Sequence, residues 1–260
     1  MVIRTGTGGW TFPPWRGVFY PKTVRQADEL AYASRAHGAI EINSTYYSPQ
    51  PPKVFERWAS QAPEGFVFTV KASRFCTNRR VLAESGESVT RFLGQGLVEL
   101  GDRLGPILWQ FMGTKAFDAV DFAAFLDLLP AAQDGMALRH CVEVGNASFD
   151  DPRFFDMCRA RGVAICMSDN PDYPLIEAPT ADFSYARLMR GADETPTCYP
   201  PDQLDAWADR FLDLEKTGDG APTRDIFVFF VSRGKVRAPA GAIALAKRVA
   251  GGLHGPAVQS

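Results

Sequence analysis

Eight short apolar runs, each with a polar or charged residue at or just beyond its C-terminal end, constrain this 260-residue chain more tightly than any motif in it. They are Val2-Ile3-Arg4-Thr5, Ala39 to Asn43, Phe66 to Lys71, Pro106 to Gln110, His140 to Glu143, Ala164 to Asp169, Phe183 to Arg187 and Asp225 to Phe230, the last followed by Ser232. Most of the gaps between them have helical periodicity. Strand alternating with helix eight times over this length is the pattern of a TIM-type (β/α)8 barrel, an α/β fold whose chemistry sits where the strands end. A barrel of about 250 residues usually forms one domain, and the chain has no linker or low-complexity tract, so residues 1–260 read as a single domain.

Helices are expected over Gln26 to His37, Val54 to Ala62, Glu84 to Leu100, Ala119 to Leu129, Pro152 to Arg161, Pro201 to Lys216 and Ala238 to Ala250. Gly94 and Gly96 weaken the longest of these, and Asp151 before Pro152 is an N-cap followed by a first-turn proline. The sixth crossover is the exception. Pro171, Pro174 and Pro179 leave room for a short helix or none, because proline lacks a donor and restricts its predecessor. Residues Gly255 to Ser260 read as a frayed tail.

Side chains alternate along a strand. If Ile40 and Ile42 cover the helices, Glu41 and Asn43 turn into the barrel. The same parity sends Thr69 with Lys71, Cys141 with Glu143, Met167 with Asp169, and Tyr185 with Arg187 inward, together with Gln110. Such charges converge at one mouth either as an ion-pair network that plugs the barrel or as a ligand site, since an unpaired buried charge costs several kcal/mol.

Positive charge recurs in the loops beyond: Arg74, Arg79 and Arg80 after the third strand, Arg190-Gly191 after the seventh, Ser232-Arg233-Gly234-Lys235 after the eighth. Barrels commonly bind phosphate with the last two of these loops, which makes an anionic ligand the sharper reading and solvated loop charges the blander one. Gly6-Thr7-Gly8-Gly9-Trp10 follows a strand but runs into Thr11-Phe12-Pro13-Pro14-Trp15, not into a helix, which excludes a dinucleotide fingerprint. Its glycines suit tight turns, and Trp10, Trp15, Phe19 and Tyr20, with Tyr46 and Tyr47, are either packing or an aromatic pocket wall.

Only His37, His140 and His254 are present, so a multi-zinc centre is not expected. Glu41, Glu143 and Asp169 offer oxygen ligands for Mg2+ or Mn2+, but carboxylates alone do not establish a metal, and the cofactor is unknown. Five cysteines without a Cys-x-x-Cys pair fit reduced thiols. Net charge −2 and pI about 6.0 give no global attraction to nucleic acid or anionic membrane. With no signal-like N-terminus and no long apolar run, a cytoplasmic location is expected, and a monomer is the default.

Several segments together resemble the YecE-like family, domain of unknown function 72. They are Gly6-Thr7-Gly8-Gly9-Trp10 with Trp15 and Phe19-Tyr20-Pro21, Glu41-Ile42-Asn43-Ser44-Thr45-Tyr46-Tyr47, Trp58, and Gly65 to Ala72. Further matches are Leu104 to Phe111, Val142-Glu143 and Tyr185-Ala186-Arg187-Leu188. The resemblance implies a TIM-type barrel with a polar pocket at its C-terminal mouth and supplies no activity. The chain departs from the family pattern where Glu143-Val144-Gly145-Asn146 stands for Glu-Phe-Arg-His, where Asn78 replaces a histidine, where Met112-Gly113 replaces a proline pair, and at Phe230-Val231-Ser232-Arg233.

The expectation from these residues is an enzyme acting on a small polar, anionic substrate, phosphorylated or carboxylated. Glu143 or Glu41 would be the general acid/base, and Lys71 and Arg187 would bind the anion. Asn43 and Gln110 would orient the substrate, with Trp10, Thr45, Tyr46, Asp169, Tyr185, Arg190, Arg233 and Lys235 around it. The alternatives are a non-catalytic nucleotide or single-stranded nucleic-acid binder using Arg74, Arg79 and Arg80, or a metal-dependent phosphodiesterase or nuclease.

Overall fold

All eight apolar runs are strands, and they close into one parallel barrel in sequence order. The computed structural model describes residues 3–215, 224–231 and 235–251. The strands are β1 (Ile3–Gly8), β2 (Ala39–Ile42), β3 (Val67–Lys71), β4 (Leu104–Phe111), β5 (His140–Val144), β6 (Ala164–Ser168), β7 (Phe183–Leu188) and β8 (Asp225–Phe230). Pairing of Thr7 with Phe230 and of Gly8 with Glu41 brings β8 and β2 against the two sides of β1, which completes the closure. A two-residue antiparallel pair, Ala132–Gln133 with Met136–Ala137, precedes β5.

The helices are α1 (Glu29–Ala36), α2 (Ser44–Tyr47), α3 (Pro52–Gln61), α4 (Arg74–Thr77), α5 (Gly86–Leu93), α6 (Ala119–Asp127), α7 (Pro152–Ala160), α8 (Pro201–Glu215) and α9 (Ala238–Gly251). Asp118 caps α6 by accepting from the amides of Val120 and Asp121, and Asp151 caps α7 by accepting from that of Arg153. The sixth crossover, residues 169–182, contains no helix, as its prolines dictate.

The longest expected helix, Glu84 to Leu100, is instead broken into a 3-10 turn at Leu82–Ser85, α5, and a second 3-10 run at Leu97–Arg103. Gly94 ends α5, and Gly96 takes the left-handed region at φ 113°, where a Cβ would come 2.7 Å from Pro52 Cα. The close approach of α3 therefore requires glycine there, and the helix gives way.

The barrel wall divides its residues as alternation predicts. Ile40, Ile42, Phe68, Val70, Ile107, Trp109 and Phe111 pack outward into the layer shared with the helices. Ala39, Leu108, Cys141, Cys166, Tyr185, Phe227 and Phe229 form a separate cluster inside. All five cysteines are buried. Among the described residues no helix is long and apolar enough to cross a membrane.

Candidate functional site at the C-terminal mouth

Above the inner apolar cluster, β2, β3, β4 and β5 each contribute one polar or charged side chain, and β7 two, to a single buried network. Arg187 donates through Nη1 to Glu143 Oε2 at 2.5 Å and through Nη2 to Glu41 Oε1 at 3.1 Å. Tyr185 Oη donates to Glu41 Oε2 at 2.7 Å and lies 3.0 Å from Thr69 Oγ1, while Gln110 Nε2 donates to Glu143 Oε2 at 2.6 Å. Glu41 and Glu143 are 0% exposed and Arg187 is 4% exposed. Burial disfavours the Arg187 charge, but Glu143 and Glu41 outweigh it and hold the guanidinium above its ordinary range. Burial, reinforced by the Glu41 charge, keeps the Tyr185 phenol protonated.

An ion-pair plug read from the sequence would have Glu41 paired with Lys71 or Arg187 and Glu143 with the other cation. The structure instead gives both carboxylates to Arg187 and none to Lys71. Glu41 has both oxygens bonded. Glu143 Oε1 and Arg187 Nε are buried with no hydrogen-bond partner among the described residues. An open acceptor and an open donor on paired groups each carry a desolvation cost of about 1–3 kcal/mol.

Lys71, 9% exposed, has its Nζ 4.2 Å above the Tyr46 ring and makes no hydrogen bond or ion pair from its side chain to any described residue. Burial pushes its ammonium down and the neighbouring Arg187 adds to this. Against the pull of Glu41 and Glu143 the result is about 8, below the ordinary 10.5. Lys71 and Arg187 open onto a cleft of about 330 Å3 whose other walls include Phe12, Trp15, Asn43 and Lys235. Among the described residues that line it there are three cations and no acid. Gly8 shapes the floor: a Cβ there would lie 2.8 Å from Asn43 Nδ2 and 2.3 Å from Val231 Cγ1. The glycines at 6 and 8 are thus strand residues that let neighbours approach, and only Gly9, at φ 88°, makes the turn expected of the whole segment.

The model of a family described as "Protein of unknown function DUF72" matches residues 4–259. The chain belongs to the DUF72 family. Among curated proteins it is similar to UPF0759 protein YunF of Bacillus subtilis (strain 168), 32% identical over 79 residues, 30% of this chain and 27% of YunF. It is also similar to UPF0759 protein YecE of Escherichia coli (strain K12), 28% identical over 143 residues, 54% of this chain and 49% of YecE. The matched stretches thus span about a quarter to a half of those relatives. The DUF72 protein TM1631 of Thermotoga maritima superposes with TM-score 0.74 at 22% identity, covering 97% of this chain and 99% of that one. The DUF72 protein EF0366 of Enterococcus faecalis V583 gives 0.75 at 17% identity, covering 96% of each. At these identities the likeness establishes the shared fold.

Gly145, one of the positions singled out in the sequence, lies in a crowded junction. An ideal Cβ on Gly145 would lie 2.6 Å from Gly113 N and 2.8 Å from the Tyr173 ring. Tyr173, carried by the helix-free sixth crossover, occupies space that a side chain at 145 would need, and it feels the charges of Glu143 and Arg187. Sequence reasoning missed it; the available signal was an aromatic between Pro171 and Pro174, in a loop that had to pass over the mouth. Asn146 Nδ2 donates to Gly113 O at 2.7 Å, so it braces the same loop junction.

Other expected site residues lie apart from the cleft. Met167 packs outward with Ile165, and Cys166 faces in, which corrects the parity assigned to β6. The crowded centre beside Tyr185 and Phe229 takes the smaller cysteine and leaves the bulkier pair to the helix layer. Asp169 accordingly does not join Glu41 and Glu143. Its carboxylate accepts from Tyr199 Oη at 2.7 Å and from the Met189 amide, and it borders a different cleft with Arg190, Trp207 and Arg210. Burial raises its carboxyl above the ordinary range. Arg190 donates through Nε to Asp169 O at 2.6 Å.

Thr45 is buried and donates to Lys71 O at 2.8 Å, so it fixes the end of β3. Trp10 packs edge-on against Trp58 at 5.2 Å and lines an adjoining cleft that shares Gly8, Phe12 and Asn43 with the first. Arg79 is tied to Phe75 O and Ser88 Oγ, whereas Arg74 and Arg80 are exposed. Arg233 lies outside the described residues. Among the described residues no group of three or more His, Cys, Asp or Glu is arranged to hold a metal ion.

Proposed function

We propose that this DUF72 protein is an enzyme that binds a small phosphorylated or carboxylated molecule in the mouth cleft and acts on it by acid/base chemistry. The observation that carries this reading is the cleft's lining: Lys71, Arg187 and Lys235 with no acid among the described residues, Lys71 lacking any carboxylate partner. An anion entering there meets an ammonium already stripped of most of its water, so pairing costs less further desolvation than at an exposed lysine. Lys71, titrating at about 8, is the group suited to move a proton near neutral pH. Of the two carboxylates, Glu143 keeps an open oxygen and is the second proton-transfer candidate, while Glu41, with both oxygens bonded, positions Arg187. Asn43 supplies an amide for orientation, and Phe12 and Trp15 give the apolar wall that a small ligand pocket needs.

Calorimetry and thermal shift with sulfate, inorganic phosphate and glycolate test the reading, because a ligand of the native state must raise the melting temperature. Lys71→Met is expected to weaken sulfate binding about 10- to 100-fold, the equivalent of one charge-assisted contact of about 1.5–3 kcal/mol. Wild-type affinity for sulfate, whose charge is constant over this range, is expected to fall as pH rises through about 8. An affinity that Lys71→Met leaves unchanged, or no binding of any probe, overturns the proposal. Tight, steeply salt-dependent binding of a single-stranded oligonucleotide in its place would favour backbone recognition by Arg74 and Arg80.

A further inference from the structure

Lys71 combines features that simple anion pairing does not call for. It stands at the end of β3 inside the barrel, its ammonium rests on the π face of Tyr46, and the two carboxylates that would normally neutralise it are committed to Arg187. We infer that Lys71 Nζ is a nucleophile that captures the carbonyl carbon of a small anionic aldehyde or ketone as an imine. This deepens the anion reading above and rests on it: Lys235 and the Arg187 edge of the cleft would hold the carboxylate or phosphate while Lys71 meets the carbonyl.

The groups around Nζ suit each stage. Burial and, after it, Arg187 on the same cleft oppose protonation of the amine, and Glu41 and Glu143 favour it, so the group can pass between the two forms near neutral pH. The free amine attacks the carbonyl carbon, a C–N bond forms, and the C=O π pair moves to oxygen. The nitrogen's proton passes to that oxygen. A second proton, the one released when the ammonium became an amine, lets the oxygen leave as water as the C–O bond breaks and the nitrogen lone pair closes C=N. In sum, ammonium plus carbonyl gives protonated imine plus water, with no oxidant or reductant. The buried Glu41–Arg187–Glu143 network lies beside a cationic imine and supplies one net negative charge to it. Phe12 and Trp15 give the cleft an apolar wall beside this site.

The test uses the whole protein with glyoxylate as the probe, sodium borohydride to reduce any imine, and peptide mapping of the carboxymethyl increment across the seven lysines of the chain. Glycolate, with a hydroxyl in place of the carbonyl, serves as unreactive competitor. Lys71 is expected to be labelled about tenfold or more above the mean of the other six at pH 7, because lowering its pKa to about 8 raises its free-amine fraction by roughly two orders of magnitude. Glycolate should suppress that label. Lys71→Arg should lose the label. If glycolate binds but Lys71 in the wild-type protein is labelled no more than the other lysines, the imine is overturned and the anion site survives. If glycolate does not bind and Lys71 is not labelled, both fall.

Discussion

Arg187→Met tests whether the buried network is held together by one guanidinium. The substitution keeps much of the volume and removes the counter-charge of two carboxylates that are both 0% exposed. Glu41 would retain only the Tyr185 hydroxyl at 2.7 Å, and Glu143 only the Gln110 amide at 2.6 Å. Two charge-assisted hydrogen bonds are lost, each about 1.5–3 kcal/mol, and removing one partner of a buried ion network costs about 3–5 kcal/mol in all. For a chain of this size that corresponds to a fall in Tm of roughly 6–20 °C. Urea unfolding followed by circular dichroism reads it directly. Adding Glu41→Gln and Glu143→Gln to Arg187→Met should recover part of the loss, because neutral amides no longer demand the missing cation. A loss below about 1 kcal/mol for Arg187→Met, the scale of an exposed pair, would refute the reasoning, as would additivity of the three substitutions.

The remaining predictions concern the cleft. The Lys71 ammonium loses its proton at about 8 in the fold and at the ordinary 10.5 when unfolded, so the unfolded state binds more protons between those limits and stability rises with pH across that window. The rise is on the order of 3 kcal/mol, and urea titrations of Lys71→Met should lack it. Gly8→Ala should cost about 1–3 kcal/mol and weaken sulfate binding, since the new methyl would lie 2.3 Å from Val231 Cγ1 and 2.8 Å from Asn43 Nδ2. Gly145→Ala should lower Tm by a similar amount, and Tyr173→Ala should restore only part of it, because the Gly113 amide 2.6 Å away is backbone and cannot rotate aside.

The architecture was legible because a barrel writes itself into sequence twice, once as eight apolar runs and once as the periodic gaps between them. Strand parity predicted five inward-facing positions of the network, Glu41, Thr69, Glu143, Tyr185 and Arg187, because in those strands large apolar residues alternate with polar ones. It failed in β6, where Ala164, Ile165, Cys166 and Met167 are all apolar and residue size had to decide the facing. The continuous helix expected from Glu84 to Leu100 failed for a different reason. The demand at Gly96 comes from Pro52, more than forty residues away, and no local window contains it.

Which charge pairs with which was not legible at all. Two carboxylates and two cations of the same strand-end layer admit several neutral arrangements, and the choice depends on ångström-scale reach across the barrel. Arg187 spans the interior with a planar fork and so can serve Glu41 on β2 and Glu143 on β5 at once. A lysine at 187 would present one point charge and leave one acid unserved, while an arginine at 71 would be too strongly basic to shed its proton. The order found here, arginine between the acids and lysine at the cleft, is the one that gives both acids a shared cation and leaves a titratable amine where a ligand can reach it. Lys71→Arg and Arg187→Lys should therefore fail differently: the first in proton transfer with the fold intact, the second in stability. Equal loss of stability in both would mean that the two cations are interchangeable supports of one plug.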